Sequence, residues 1–342
     1  MIIRAVVSSS APPRSTPLAA RSSIPPPSAR GAAGGPGATR DCRVRSSVGF
    51  HRHHLRGAFA RAMATAAGGD ARIEDHDTED LIERKKATRK RVRAALKELT
   101  EEQMGTESAQ ICAGLLSTLQ IFTTENPVTT TGRPVRLGLY VHCAKLREVD
   151  TRPLLETALG LPNCEVYVPI VDASAKPGEG TEGDGPAMRF LRIRNLDDDL
   201  ERKTMGIMEP KEFLPDGVTR RQNLEHLWDA PESNPRPLDV LLMPGLAFDA
   251  SGARCGRGGG YYDAFVDRYF SRCVAAGYEP PPLVALAFSA QVLGVGEVPM
   301  ARYDKRVDAI ATVNGVLGCG SPMGDAVASG SRWRGAGEGW ER

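Results

Sequence analysis

The spacing of hydrophobic and polar positions changes its rhythm at Pro134. Before that point it is helical: the charged stretch 78–99 carries Val92, Leu96 and Leu99 at helical intervals. Thr100 with Gln103 then has the form of a capping box opening a second helix, whose buried face would be Leu115, Leu116 and Leu119. Beyond Pro134, short apolar runs alternate with turn-rich or helix-length stretches, as in strands interleaved with helices. Six strands are predicted, over residues 135–141, 165–170, 189–194, 238–243, 283–288 and 307–312. Runs 238–243 and 283–288 are almost continuously apolar, which predicts burial on both faces in a mostly parallel sheet covered by helices, a three-layer α/β/α domain.

One domain is expected, over residues 75–316. Residues 176–186, rich in Gly and Glu, read as an inserted surface loop, and 231–237 as an ordinary connection. After Asn314 no periodicity remains, and residues 317–342 read as a disordered tail. There are no internal repeats.

Composition changes the picture at the N-terminus. Residues 1–69 hold ten arginines, no lysine and the single acid Asp41 among Ser, Ala, Pro and Gly, the composition of an organelle transit peptide. Mitochondrion is the expected address, with chloroplast as the alternative. The leader's charge of +9 against an overall +2 leaves −7 for the rest, so the basic character belongs to the leader and a nucleic-acid partner is not expected. His51, His53 and His54 resemble a metal cluster but fall inside it. The seven cysteines are scattered without metal-ligand spacing and read as reduced thiols. No apolar run approaches the roughly 20 residues that would cross a bilayer. A monomer without membrane attachment is expected.

The segment richest in chemistry leaves the apolar run 238–243, passes through Gly252–Tyr262 and enters a helix whose Tyr262, Phe265, Val266, Tyr269 and Phe270 share one face. Backbone N–H groups at such a helix start point where an anion can sit, and the helix dipole adds partial positive charge. Gly256, Gly258, Gly259 and Gly260 allow close approach, while Arg254 and Arg257 supply forked donors matched to phosphate oxygens. In open α/β sheets ligands bind outside the carboxyl ends of the strands, where this loop falls. A glycine-rich tight turn has the same composition, and the loop is neither a Walker A loop nor a GxGxxG fingerprint.

The segment PGLAFDASGARCGRGGGYYD, residues 244–263, closely resembles the signature of 5-formyltetrahydrofolate cyclo-ligases. Further pieces follow in the same order: Lys85 and Arg89, LYVHCAKLREVDT at 139–151, VYVPI, MRFLRI, GIMEP at 206–210 and YDKRVDAIAT at 303–312, so that the resemblance spans 81–313. It implies a Rossmann-like sandwich of the kind found in sugar-phosphate isomerases and CoA-transferases. It also implies an ATP- and Mg2+-dependent enzyme that closes 5-formyltetrahydrofolate, with or without a polyglutamate tail, to 5,10-methenyltetrahydrofolate with release of ADP and phosphate. The terminal phosphoryl group of ATP would go to the formyl oxygen, giving an imidate phosphate that nitrogen 10 attacks. Positioning and charge neutralisation carry such chemistry, which accords with the absence of any nucleophilic constellation.

By the resemblance, Lys85, Lys86, Arg89, Arg254, Gly256, Arg257, Gly258, Gly259, Gly260, Tyr261 and Tyr262 bind ATP, and Cys143, Glu148, Arg257 and Tyr261 meet the folate. Arg257 and Tyr261 would be the catalytic pair, with Asp263 and Asp304 holding magnesium. Arg257→Ala would then mainly harm ATP use and Glu148→Ala folate use. The plainer readings are a solvated basic face for 85–93, a helix-start acid for Asp263 and a core position for Tyr262. Two departures stand out: Cys255 replaces an apolar residue, and Gly259 replaces a lysine that would add a phosphate contact. Two other readings remain, an isomerase or CoA-transferase-like enzyme and a non-catalytic binder of folate or nucleotide.

Overall fold

The structure, a computed structural model, describes residues 78–119, 122, 133–172, 187–203, 206–228 and 236–330. The leader expected at 1–69, the insertion at 176–186 and most of the connection at 231–237 lie outside them. Helix α1 (Glu79–Glu98) begins where Thr78 Oγ1 accepts the Leu81 N–H, and α2 (Glu101–Thr118) opens on the expected reciprocal box between Thr100 and Gln103. There follow β1 (Val135–Gly138), α3 (Arg152–Gly160), β2 (Cys164–Val171), β3 (Met188–Ile193) and the single turn α4 (Leu196–Asp199). Next come the antiparallel pair β4 (Leu200–Arg202) and β5 (Met208–Pro210), then β6 (Val240–Met243), β7 (Ala247–Asp249), β8 (Arg254–Cys255) and α5 (Tyr261–Ala275). The last elements are β9 (Leu283–Leu286), β10 (Val292–Leu293), β11 (Ala309–Thr312), β12 (Gly315–Gly318) and α6 (Pro322–Ala328).

Seven strands form the main sheet in the order β12-β11-β9-β6-β1-β2-β3; the five inner strands are parallel and the two edges antiparallel. The central strands β6 and β9 are apolar on both faces. Val240 and Leu242 join the core beneath α1, α2 and α3, while Leu241 and Met243 join a second core with Phe265, Val266 and Tyr269 of α5. That period of two is what a strand sandwiched between helix layers requires. All six predicted strands are present, but the first and fifth stop at Gly138 and Leu286, short of 141 and 288. In the first case the apolar run continues past the strand because Leu139 and Tyr140 remain in the core, where Tyr140 with Val141 also borders a cavity.

Two expectations need correction. The predicted passage from strand through glycine loop to helix is interrupted by a small sheet, β10-β7-β8, in which β7 and β8 form an antiparallel pair closed by Gly252 at φ +80°. The tail expected to be disordered from 317 is ordered as far as Gly330: β12 pairs with β11, and α6 packs on both. Gly315 at φ +105° makes the turn, and Ser321 caps α6 by accepting the Gly324 N–H while donating to Asp308. Gly324 lies so close to the Asp308 carbonyl that a Cβ would stand 1.8 Å from its oxygen. Elements of four and seven residues are too short to display a period in the sequence.

Candidate active site

At the carboxyl ends of the parallel strands lies a cavity of about 750 Å³. One wall is the glycine loop and the start of α5, another the loop 140–148, and a third comes from β2, β3 and the β4–β5 pair. Helix α5 starts on Gly260 in the left-handed conformation with no side chain capping it, so its first N–H groups are left for another acceptor. The connection from β6 to β7 is held by Gln291, whose Nε2 donates to the carbonyls of Gly245 and Leu246.

Helix α1 grips the same loop from outside the cavity. Arg89 Nε donates to the Gly256 carbonyl at 3.0 Å, Arg93 to the Arg257 carbonyl at 3.3 Å, and Lys85 Nζ lies 2.8 Å from Asp304 Oδ2. These three residues sit four apart, on one stripe of the helix. The dense basic run therefore divides: Lys85 is buried, whereas Lys86 faces solvent beside Glu83 and is not brought to the site.

Two ion pairs shape the cavity wall. Arg254, 3% exposed, donates to Asp263 Oδ1 at 2.7 Å and to the Pro244 carbonyl, and its Nε has no partner. Asp263 does not cap α5; the same oxygen also accepts the Lys305 N–H. Arg257 Nε donates to Glu148 Oε1 at 3.3 Å and its second arm reaches the Leu146 carbonyl, while Glu148 Oε2 accepts the Cys143 N–H. Burial pushes the Glu148 carboxyl above the ordinary carboxylate range, and Arg257 and the Cys143 N–H oppose that rise. Thr151 holds the loop in shape by bridging the Tyr140 carbonyl and the His142 N–H, and Asp150 accepts the Arg152 N–H, so this end of the motif is structural.

Of the expected site residues, Cys143, Glu148, Arg254, Gly256, Arg257, Gly259, Gly260, Tyr261, Tyr262 and Asp263 line the cavity. Lys85, Lys86, Arg89, Gly258 and Asp304 do not. Tyr262 also packs on the core, as its apolar stripe suggested. The Tyr261 ring rests against Gly259, where a Cβ would stand 2.8 Å from it, so the glycine that replaces lysine makes room for the tyrosine. Cys255 is buried in the core and its thiol is raised by burial, in keeping with a simple apolar replacement. Sequence reasoning gave no role to Glu209 and Arg189 on the third wall, although the pieces GIMEP and MRFLRI contain them.

Among the described residues no group of three or more His, Cys, Asp or Glu could hold a metal. Asp263 and Asp304 each face a cation instead. Only Asp263 lines the cavity, and a single carboxylate completed by phosphate oxygens and water is a donor set that suits a hard cation such as magnesium beside a nucleotide.

The chain is 37% identical over 185 residues to the mitochondrial 5-formyltetrahydrofolate cyclo-ligase of Arabidopsis thaliana, covering 53% of this chain and 60% of that protein. It is 41% identical over 73 residues to the 5-formyltetrahydrofolate cyclo-ligase of Mus musculus, covering 21% of this chain and 33% of the mouse protein. Against a solved 5,10-methenyltetrahydrofolate synthetase from Mycoplasma pneumoniae the identity is 18% and the TM-score 0.41, over 67% of this chain and 98% of the other. Residues 81–313 match the model of the 5-formyltetrahydrofolate cyclo-ligase family, the span over which the motifs run from α1 to β11, and the chain belongs to that family.

Proposed function

We propose that this protein closes 5-formyltetrahydrofolate to 5,10-methenyltetrahydrofolate at the expense of ATP, with magnesium, in the cavity beside the glycine loop. The observation that carries this reading is the unpartnered Nε–H of buried Arg254, on a wall where α5 also starts uncapped. A buried donor without an acceptor is costly, and a phosphate oxygen would satisfy it. The carboxylate of Glu148, within reach of Arg257, offers acceptors for the N–H groups of a reduced pterin in the same cavity.

In this reading Arg254, Arg257 and the N–H groups that open α5 hold the triphosphate and neutralise charge as the phosphoryl group moves to the formyl oxygen. Tyr261, on the cavity wall, faces the reacting carbon, and Glu148 orients the pterin so that nitrogen 10 lies against it. Asp263, and Asp304 if it parts from Lys85, would hold magnesium, which when bound offsets negative charge on the phosphate oxygens. Lys85 and Arg89 support the loop from behind and reach phosphate only by exchanging their present partners. The sheet would then be a Rossmann-like sandwich of the isomerase and CoA-transferase kind, with the leader directing the protein to the mitochondrion.

The test is to mix the full chain with 5-formyltetrahydrofolate and Mg-ATP and follow methenyl absorbance; no nucleotide-dependent product would refute the reading. In the same assay Lys85→Ala is expected to raise KM for ATP about tenfold, through loss of a buried pair behind the loop, while exposed Lys86→Ala stays within about twofold. Equal effects from both would show that the stripe on α1 has been misjudged.

A further inference from the structure

The third wall of the cavity carries a carboxylate whose surroundings differ from those of its neighbours. Glu148 faces Arg257, Glu212 faces Arg189 and Arg220, and Asp263 faces Arg254. Glu209, on β5, is 8% exposed and lines the same cavity, yet among the described residues it pairs with no cation. The nearby Lys203 is engaged by Glu201 at 2.6 Å. The Val171 N–H donates to the Glu209 carboxylate, a single donor for a group with about four acceptor positions. Its flanking cavity residues Ile207, Met208 and Met188 are apolar, and burial raises the Glu209 carboxyl above its ordinary range.

An unpaired buried carboxylate weakens the fold, and such groups gather where a ligand supplies what the protein does not. The cations on this wall are engaged elsewhere, Arg189 by Glu212 and Lys203 by Glu201, and the one hydrogen bond that Glu209 accepts comes from a neutral N–H, so an N–H donor on the ligand is the partner that fits. A reduced pteridine has that chemistry: flat faces for the methionines and isoleucine, and ring N–H groups at its edges.

We propose that Glu209 is a second substrate-contacting carboxylate, which accepts a hydrogen bond from a ring N–H of the reduced pterin and so helps decide which folates the cavity admits. The proposal rests on the folate reading above and adds a determinant on a different wall from Glu148. Because an amide oxygen can accept the same bond, glutamine should substitute and alanine should not.

The experiment is calorimetric titration of the full chain with 5-formyltetrahydrofolate, without nucleotide, for wild type, Glu209→Ala and Glu209→Gln, together with thermal melts and steady-state kinetics. Glu209→Ala is expected to weaken folate binding about 10- to 100-fold while KM for ATP stays within about twofold, and Glu209→Gln to stay within about fivefold of wild type. Without ligand, Glu209→Gln should melt no lower than wild type, since it removes an uncompensated charge. Unchanged binding by Glu209→Ala would overturn the proposal. So would a lower melting temperature for Glu209→Gln, which would make the residue structural, or normal binding with turnover lost about a hundredfold, which would make it a proton acceptor. Wild type that fails to bind the folate at all would overturn the functional reading, and this proposal with it.

Discussion

Arg257→Ala is expected to lower kcat/KM about a thousandfold and to damage the use of both substrates, not of nucleotide alone. Loss of one preorganised cationic donor at a phosphoryl-transfer centre costs roughly a hundred- to a thousandfold by itself. The geometry adds a second loss. Arg257 is the cation facing Glu148, which is 9% exposed and already raised by burial, so removing the arginine leaves that carboxylate buried and unpaired. Its pKa should climb further, and a larger share will be protonated near neutral pH. The sequence leads one to expect Arg257 to serve ATP and Glu148 folate; their contact in the structure leads us to expect instead that the two act as a shared device. A double-mutant cycle with Glu148→Ala measures it: a coupling of about 2 kcal/mol in kcat/KM is expected for groups in direct contact. Additive effects would mean that the two side chains act apart.

Gly252→Ala is expected to cost about 4 kcal/mol of stability, or roughly 10 °C in Tm for a domain of this size. Two effects combine there. The residue sits at φ +80°, which costs a side chain roughly 1–2 kcal/mol. An added Cβ would also meet the Val307 carbonyl oxygen at 2.3 Å, and that atom is backbone and cannot turn aside. Gly252 further accepts the Val307 N–H at 2.8 Å, which ties the β7–β8 turn to the segment leading into β11. Gly277 is the control: its φ of +81° is nearly the same, but nothing lies within 4 Å of the added atom. Gly277→Ala should therefore lose only about 1 kcal/mol. Equal melting temperatures for the two variants would assign the whole effect to backbone strain.

The main sheet could be read from the chain because its strands are buried on both faces and write their presence as unbroken apolar runs, as at Val240–Met243 and Leu283–Leu286. Thr78, Thr100 and Gln103 marked their helix starts through side-chain chemistry that needs no tertiary partner. β7, β8 and β10 were missed because they are two or three residues long, too short to show a period, and β10 is held to β7 by pairing across more than 40 positions. In the site, the loop and its arginines were legible as an anion-binding composition. That Lys85 turns inward and Lys86 outward was not, since a run of like charges does not say which face meets the protein. The pairing of Arg257 with Glu148 joins residues 109 apart in sequence and belongs to the tertiary structure alone.

The closing hairpin of β11 and β12 has a bearing on solubility. β11 is the last parallel strand on its side of the sheet, and β12 with α6 occupies the hydrogen-bonding groups it would otherwise present. A chain trimmed after Thr312 would keep the loop and the cavity lining, but would lose Val327 from the core and leave an apolar strand with bare amides at its rim, free to recruit a neighbouring molecule. β12 and α6 thus serve as the selvedge of the sheet, keeping each copy of the protein from being woven into the next.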